Sequence, residues 1–441
     1  MPVGPWLPDL PPPAPPLDGD SAADVVVVGA GYAGLSAALA LRARGREVVV
    51  LEREHAGFGA SGRNAGHLTP VIGKDLPTLA RLFSRARARQ LVAVAEDAVA
   101  HVEAAIADLR IDCDYEPVGN LLAAVHPAQH HVVDAAARAG EALGVDGELL
   151  DDSALRRRGV PPAFTRAYRL RRGGILDPGR YLLGLRRAAL AAGVRLHEGT
   201  AVDRIEDGSP ASVRTPRGTV RARRVVVTVN AWLAELGLLR QTVLPIEVSL
   251  FRTAPLTAAQ KAAVGWPGRE GVYTAHEILE SYRLTADDRI VGGSKTVRYA
   301  LDGRILGDDA ATDRLVEQAF RDRFPQLQEL EITDRWSGPL SFALDFLPAL
   351  GRRGALCWAA GCAGHGLAVM SLAGTALAAM ACDDPAPPAR VLWDHWKPPL
   401  PPEPLRWLAI TGLVGLLRAL DRRVDRQAAA APAAPPLVTR G

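Results

Sequence analysis

Residues 25–34 read VVVVGAGYAG, four β-branched residues running straight into glycines spaced as GxGxxG. A β-branched run without polar alternation belongs to a strand buried on both faces of a parallel sheet. The alanine-rich stretch 32–44 reads as a helix that stops at Gly45, and residues 47–51 form a second apolar strand, which completes a βαβ unit. Gly29 permits the tight turn, Gly31 lets the backbone approach a pyrophosphate, and Gly34 lets helix and strand pack closely. The free N–H groups of the helix N-terminus would face the phosphates. Glu52, at the end of the second strand, is positioned to bond an adenosine ribose. The glycines, strand, helix and acid together imply a dinucleotide-binding unit.

Outward from this unit, residues 88–110 carry apolar groups at helical spacing, 119–125 reads as a strand, 127–143 as a helix and 151–158 as a charged connection. Pro178 sits near a helix start, the helix covers 181–192, and a strand at 194–197 follows Gly193. A hairpin-like stretch, 213–220, precedes an apolar strand at 224–229. The alternating segments 281–285 and 289–293 suggest a mostly antiparallel sheet within 246–300. A short strand at 355–360 then leads into a turn with Gly361, Gly364 and Gly366 and a very apolar helix, 367–381.

The fold class implied is α/β: a Rossmann-like domain with a second, mostly antiparallel α+β domain. The expected partition is a Pro-rich lead-in over 1–23, with order starting at Asp24. A discontinuous dinucleotide domain is expected over 24–85, 145–235 and 336–384, and a substrate domain over 86–144 and 236–335. A C-terminal extension, 385–441, contains an amphipathic helix at 405–426 with an apolar front and Arg418, Arg422, Arg423 and Arg426 as its tail. That helix either docks on the protein's own surface or makes peripheral membrane contact.

Composition excludes several classes. The chain has 441 residues, 48% hydrophobic and 23% charged, which rules out disorder of the whole. Fifty-two basic against 49 acidic residues give no global reason for a nucleic-acid partner. Four cysteines without a CxxC make no disulfide scaffold, and no signal peptide is apparent, so a cytoplasmic location is expected. The longest apolar run, 407–417, is too short to span a membrane. His130 with His131, and His276 with Glu277, lack zinc-site spacing, so no metal is expected.

The loop GFGASGRNAGH, 57–67, departs from the continuation of a simple NAD domain. With it, GGILDPGRY (173–181), VVVTVNAW (225–232), SYRLTADDRIVGG (281–293) and the WSG, DFLP and GCAGHG segments make the sequence resemble the D-amino-acid oxidase superfamily of FAD-dependent amine oxidoreductases. Within it the closest likeness is to the γ-glutamylputrescine oxidoreductase and glycine/sarcosine oxidase-like branch. The resemblance covers roughly residues 6–382.

The resemblance implies FAD held by Gly29, Gly31, Gly34, Glu52 and Arg53, with Ser61 and Gly62 at the phosphates or ribityl chain. Arg63, Asn64 and His67 would lie near the isoalloxazine, Val202 under the adenine, and Asn230 and Ala231 over the cofactor. Gly364, His365, Gly366 and Leu367 would form a turn whose helix points its N-terminus at the flavin N1/C2=O edge, where reduction places negative charge. Some relatives attach FAD through a cysteine near the position of Trp336 or a histidine near Asn64, and neither residue can form that bond here. Noncovalent FAD is therefore expected, with His67 or a cysteine as the linkage if that fails. The catalytic candidates are Lys295 for reaction with O2, Arg63 and His67 at the ring, and Tyr282 and Arg283 for orienting substrate, Arg283 as a carboxylate partner. Lys295 reads equally as a surface lysine at a strand end. The implied reaction is oxidation of the C–N bond of a small amine or amino acid by hydride transfer, then imine hydrolysis and reoxidation by O2 or another electron acceptor. An NAD(P)H-dependent FAD enzyme and a non-catalytic flavoprotein are the alternatives.

Overall fold

The computed structural model describes residues 4–385, 388–392 and 396–430. Residues 431–441 of the expected C-terminal extension, and 1–3 of the lead-in, lie outside the described residues.

Two eight-stranded sheets organise the chain. The first runs Ala349–Arg353, Leu356–Ala360, Gly218–Val227, Ser21–Val28, Val48–Leu51, Arg195–His197. Only the outermost pair of these, at the Ala349–Arg353 edge, is antiparallel. Val25 to Val28 lie between two parallel neighbours and are at most 4% exposed, which is why the run lacks alternation. Helices Tyr32–Ala43 and Gly366–Ala381 cross in backbone contact, since a Cβ on Gly374 would lie 2.4 Å from the Ala33 carbonyl oxygen.

The second sheet runs Ile332–Phe342, Leu244–Thr253, Ile290–Ser294, Glu280–Leu284, Gly271–Thr274, Asn120–Ala124, Arg166–Leu170, Gly147–Leu150. It is antiparallel apart from one parallel pair, Gly271–Thr274 with Asn120–Ala124. Side-chain parity separates its faces. Leu250, Val291, Trp336 and Tyr168 point inward and join the core of the first domain. Phe251, Tyr282, Ile290 and Leu284 point outward into a separate core with Phe320 and Phe324.

The expected partition needs correction. Residues 147–150 and 166–170, expected in the dinucleotide domain, pair beside Asn120–Ala124 in the second sheet. Ile332–Phe342 crosses the expected boundary at 336 and stays in that sheet. Conversely, helix Arg85–Asp108, expected in the substrate domain, packs on Gly366–Ala381. Long-range pairing decides these memberships, and local periodicity does not encode it. The hairpin at 213–220 and the strand at 224–229 are one element: Gly218–Val227 is continuous, and Ala211–Thr215 folds back on it. The connection at 151–158 contains a helix, Asp152–Arg157, capped by the Asp151 carboxylate 2.8 Å from the Ala154 N–H.

Strand order begins at Ser21, before Asp24. The Pro-rich lead-in is docked: Trp6, Leu7 and Leu17 are buried, the Leu17 N–H donates to Thr200 Oγ1 at 3.0 Å, and Arg186 donates to the Pro12 carbonyl at 3.0 Å. The C-terminal helix spans Leu405–Ala430 and lies on the outer side of the second sheet, where buried Asp421 accepts the N–H groups of Glu277 and Ile278 at 2.8 and 3.0 Å. It thus docks on the protein's own surface.

Candidate active site

The glycine turn forms a cradle for an anion. Gly29 has φ +100°, and a Cβ on Gly34 would lie 1.9 Å from the Gly29 carbonyl oxygen, so strand and helix meet at a distance that only glycine allows. A Cβ on Gly31 would lie 2.8 Å from Ser61 Oγ, which accepts the Tyr32 N–H at 3.1 Å. No side chain caps the helix from Gly31, and the first N–H groups of a helix lack intrahelical partners. Glu52 is half-buried between the Ala30 N–H, 2.8 Å from Oε2, and the Glu54 N–H, 3.1 Å from Oε1. Burial raises its pKa against these bonds. Val202 is half-buried in the 200–203 loop, which the Thr200 N–H ties to the Glu52 carbonyl at 2.7 Å. Arg53 stands over Trp232 at 5.0 Å and pairs with Glu235 at 3.5 Å.

The 59–68 loop runs from this cradle toward the inner face of the second sheet. Gly62 is buried against Leu7, and Asn64 fastens the loop, donating to Tyr32 Oη at 3.0 Å and the Ser61 carbonyl at 2.9 Å while accepting the Gly66 N–H at 3.0 Å. Arg63 is 2% exposed, donates to the Phe58 carbonyl at 2.9 Å and lies over the Phe58 ring. Burial lowers its pKa, against the nearby Asp308. Its own carbonyl accepts the Trp336 indole N–H at 2.8 Å. Trp6 of the lead-in closes this corner, donating to the Asn64 carbonyl at 2.9 Å and meeting Trp336 edge-on.

His67 and Arg283 meet where the loop reaches the sheet. His67 Nδ1 lies 3.1 Å from Asn120 Oδ1, which fixes the Nδ1–H tautomer, and the ring tilts onto Tyr273 with centroids 4.6 Å apart. Its Nε2 is buried without a partner. Burial, then the Arg283 charge, push its pKa down to about 3. Arg283 is 2% exposed, donates to the Ala65 and Leu284 carbonyls, and packs over Trp6 at 5.0 Å. Its Nη2 is buried and unpaired, and burial lowers its pKa to about 10 despite Asp177 and Glu116.

Two further turns close the other side. Asn230, at φ +46°, accepts the Ser341 hydroxyl, and that hydroxyl oxygen accepts the Gly361 N–H at 2.8 Å, which joins the 230 turn to the 361–366 turn; Ala231 beside it is buried. Gly364, at φ +89°, has open space where a Cβ would be. His365, whose pKa burial lowers to about 4, precedes a helix with no side-chain cap, so the N–H groups of Gly366 and Leu367 stand at an open N-terminus.

Residues 24–380 match the family model of the DAO, FAD dependent oxidoreductases. The chain belongs to the DAO family. A gamma-glutamylputrescine oxidoreductase of Escherichia coli (strain K12) is 34% identical over 359 residues, 80% of this chain and 82% of that protein. A probable oxidoreductase OrdL of Haemophilus influenzae is 28% identical, over 82% and 84%. Among solved structures, glycine oxidase from Geobacillus kaustophilus superposes with a TM-score of 0.72 at 22% identity, over 85% of this chain and all of that one. L-amino acid deaminase from Proteus myxofaciens gives 0.69 at 18%, over 85% and 93%.

The residues of this DAO-family oxidoreductase fit FAD: the Gly31 cradle that a Cβ would fill, two helix N-termini whose N-cap residues make no side-chain bond, and the half-buried Glu52 carboxylate. Two sequence candidates lie elsewhere. Tyr282 faces outward, its ring 5.3 Å from that of Phe324 and its hydroxyl bonded to Glu280 at 3.1 Å. Lys295 is also on the outer side, its Nζ 2.7 Å from both Glu280 and Asp425. Neither shares a face with Arg283, whose strand neighbour on the inner side is Val291. A Lys295→Met variant should therefore reoxidise its flavin at the wild-type rate in stopped-flow mixing with O2, while the C-terminal helix becomes easier to cleave by protease. His276 converges with Glu280 and Asp425, but Lys295 and Arg323 supply the balancing cations there. Trp6, Asn120 and Tyr273 also belong to this site, and no local sequence pattern marks them.

Proposed function

We propose that the enzyme oxidises the C–N bond of an amine or amino acid that carries a carboxylate. The observation that supports this is the Arg283 guanidinium, buried with Nη2 unpaired beside the 64–67 loop; a carboxylate is the group that satisfies such a donor. FAD, when bound, would supply the two-electron acceptor for hydride from the carbon that bears nitrogen. Gly31, Ser61 and Glu52 would hold its pyrophosphate and ribose, and Arg63, Asn64 and His67 would line the ring. His67 is neutral at physiological pH and offers a lone pair at Nε2, so it orients without adding charge beside Arg283. The resulting imine hydrolyses to a carbonyl compound and the freed amine. O2 is the proposed final acceptor, giving hydrogen peroxide. With Lys295 on the outer face, transfer to another acceptor is the second reading, and the reoxidation rate in air-saturated buffer separates the two.

Under argon, carboxylate-bearing amines should bleach the flavin bands and their decarboxylated analogues should do so far more slowly. Equal rates for both members of each pair would remove Arg283 from substrate recognition, and no bleaching by any amine would overturn the reaction class. FAD is proposed to be noncovalent, since Trp336 donates its indole N–H to Arg63 and Asn64 is spent on the loop. Acid precipitation should leave the yellow colour in the supernatant; a yellow pellet would mean a covalent link.

A further inference from the structure

Helix Leu405–Ala430 has two apolar faces, and only one is used. Ile410, Val424 and Ala428 pack on the body of the protein, with Asp421 and Asp425 bonded inward between them. Leu405, Leu408, Gly412, Leu413, Leu416 and Leu420 fall within about 140° on the side turned away from Asp421 and Asp425 at 3.6 residues per turn. Its leucines are 47–60% exposed, and a Cβ on Gly412 would meet nothing within 4 Å. A docked surface helix ordinarily turns polar residues outward.

We infer that this outward face is a docking surface for an anionic lipid membrane, on which the enzyme rests peripherally. Charge selects this occupant. Arg422, Arg423 and Arg426 are exposed, follow directly on the leucines and enter no ion pair among the described residues. The two acids of the same stretch, Asp421 and Asp425, are turned inward and bound, so the outward face presents positive charge only. A second copy of this face would bring leucines but no acid to meet the arginines; anionic headgroups over an apolar interior match both. No described helix is long and apolar enough to cross a membrane, so the contact is lateral.

The test is flotation of the FAD-loaded enzyme with phosphatidylcholine vesicles, with and without phosphatidylglycerol. Binding should require the anionic lipid and disappear in L413E/L416E. It should weaken about 100-fold in R422Q/R423Q/R426Q, at roughly the contribution of one surface arginine each. Both variants should keep the wild-type flavin spectrum and melting temperature. Absence of flotation would overturn the inference, as would equal binding by the leucine variant. A wild-type dimer that L413E/L416E dissociates, without lipid binding, would assign the face to a second copy. Binding seen only after removal of residues 431–441 would assign it to that segment.

Discussion

A Gly31→Ala chain should fold and purify without flavin colour. At Gly31 the backbone is extended, φ −86° and ψ −171°, a conformation any residue adopts, so alanine fits the backbone there and only the Ser61 side chain must shift. The added Cβ would lie 2.8 Å from Ser61 Oγ, and that hydroxyl holds the Tyr32 N–H at the mouth of the helix. The methyl therefore occupies the space through which a pyrophosphate must approach and displaces the side chain that shapes it. Overpacking of this kind costs about 2–3 kcal/mol, or about 100-fold in Kd for FAD. The checks are flavin absorbance on purification, titration with FAD, and a melting temperature within a few degrees of that of the wild-type apoprotein, since only the Ser61 contact is disturbed. Retained colour at wild-type affinity would mean that the dinucleotide does not enter past Gly31. Gly34→Ala differs, because its Cβ would lie 1.9 Å from the Gly29 carbonyl, and that chain should lose stability with or without FAD.

The contrast between these two glycines shows what the sequence made readable. Strand, turn, helix and acid lie within one local unit, and each residue's task follows from its spacing. Helix Tyr32–Ala43 and strand Val48–Leu51 accordingly fall within a residue or two of expectation. Tyr282 and Arg283 were less legible. They are adjacent on one strand and point to opposite faces, yet the whole strand 280–284 is buried, so no polar alternation tells inner from outer. Lys295 follows Ser294, both at positive φ, and strand parity cannot be extended through such a kink. Trp6 reaches Asn64 across 58 residues from a proline-rich segment with no period. That the 57–67 loop should lie near a flavin is an expectation carried by the family resemblance, since spacing alone does not encode it. The docking of the C-terminal helix depends on Asp421 and Asp425, one turn apart among arginines, and their partners on the 276–280 segment become visible only in three dimensions.

Glu280→Ala should be the most destabilising substitution outside the cofactor cradle. Glu280 is 1% exposed and accepts from Arg323 at 2.9 and 3.0 Å, from Lys295 at 2.7 Å and from the Tyr282 hydroxyl at 3.1 Å. Burial alone would raise its pKa; the charges of Arg323, Lys295 and His276 overcome burial and hold it down to about 2. Alanine leaves Arg323, itself 4% exposed, and Lys295 sharing the single carboxylate of Asp425. Removing one partner of a buried ion network costs about 3–5 kcal/mol, because the remaining charge stays desolvated. The sign with pH follows from the depressed pKa. The wild-type contribution is complete above the unfolded carboxyl's pKa of about 4.3 and falls away as pH drops toward 2, so wild type and variant should converge in acid. Denaturant unfolding at neutral pH and near pH 3 measures both the gap and its closing. Glu280→Gln, which keeps the shape and an accepting oxygen, should fall between them. Because Asp425 belongs to the C-terminal helix, the alanine variant should also expose that helix to protease before the flavin is lost. A gap that is absent at neutral pH, or that persists unchanged in acid, would show that the carboxylate is not what holds Arg323 and Lys295 in place.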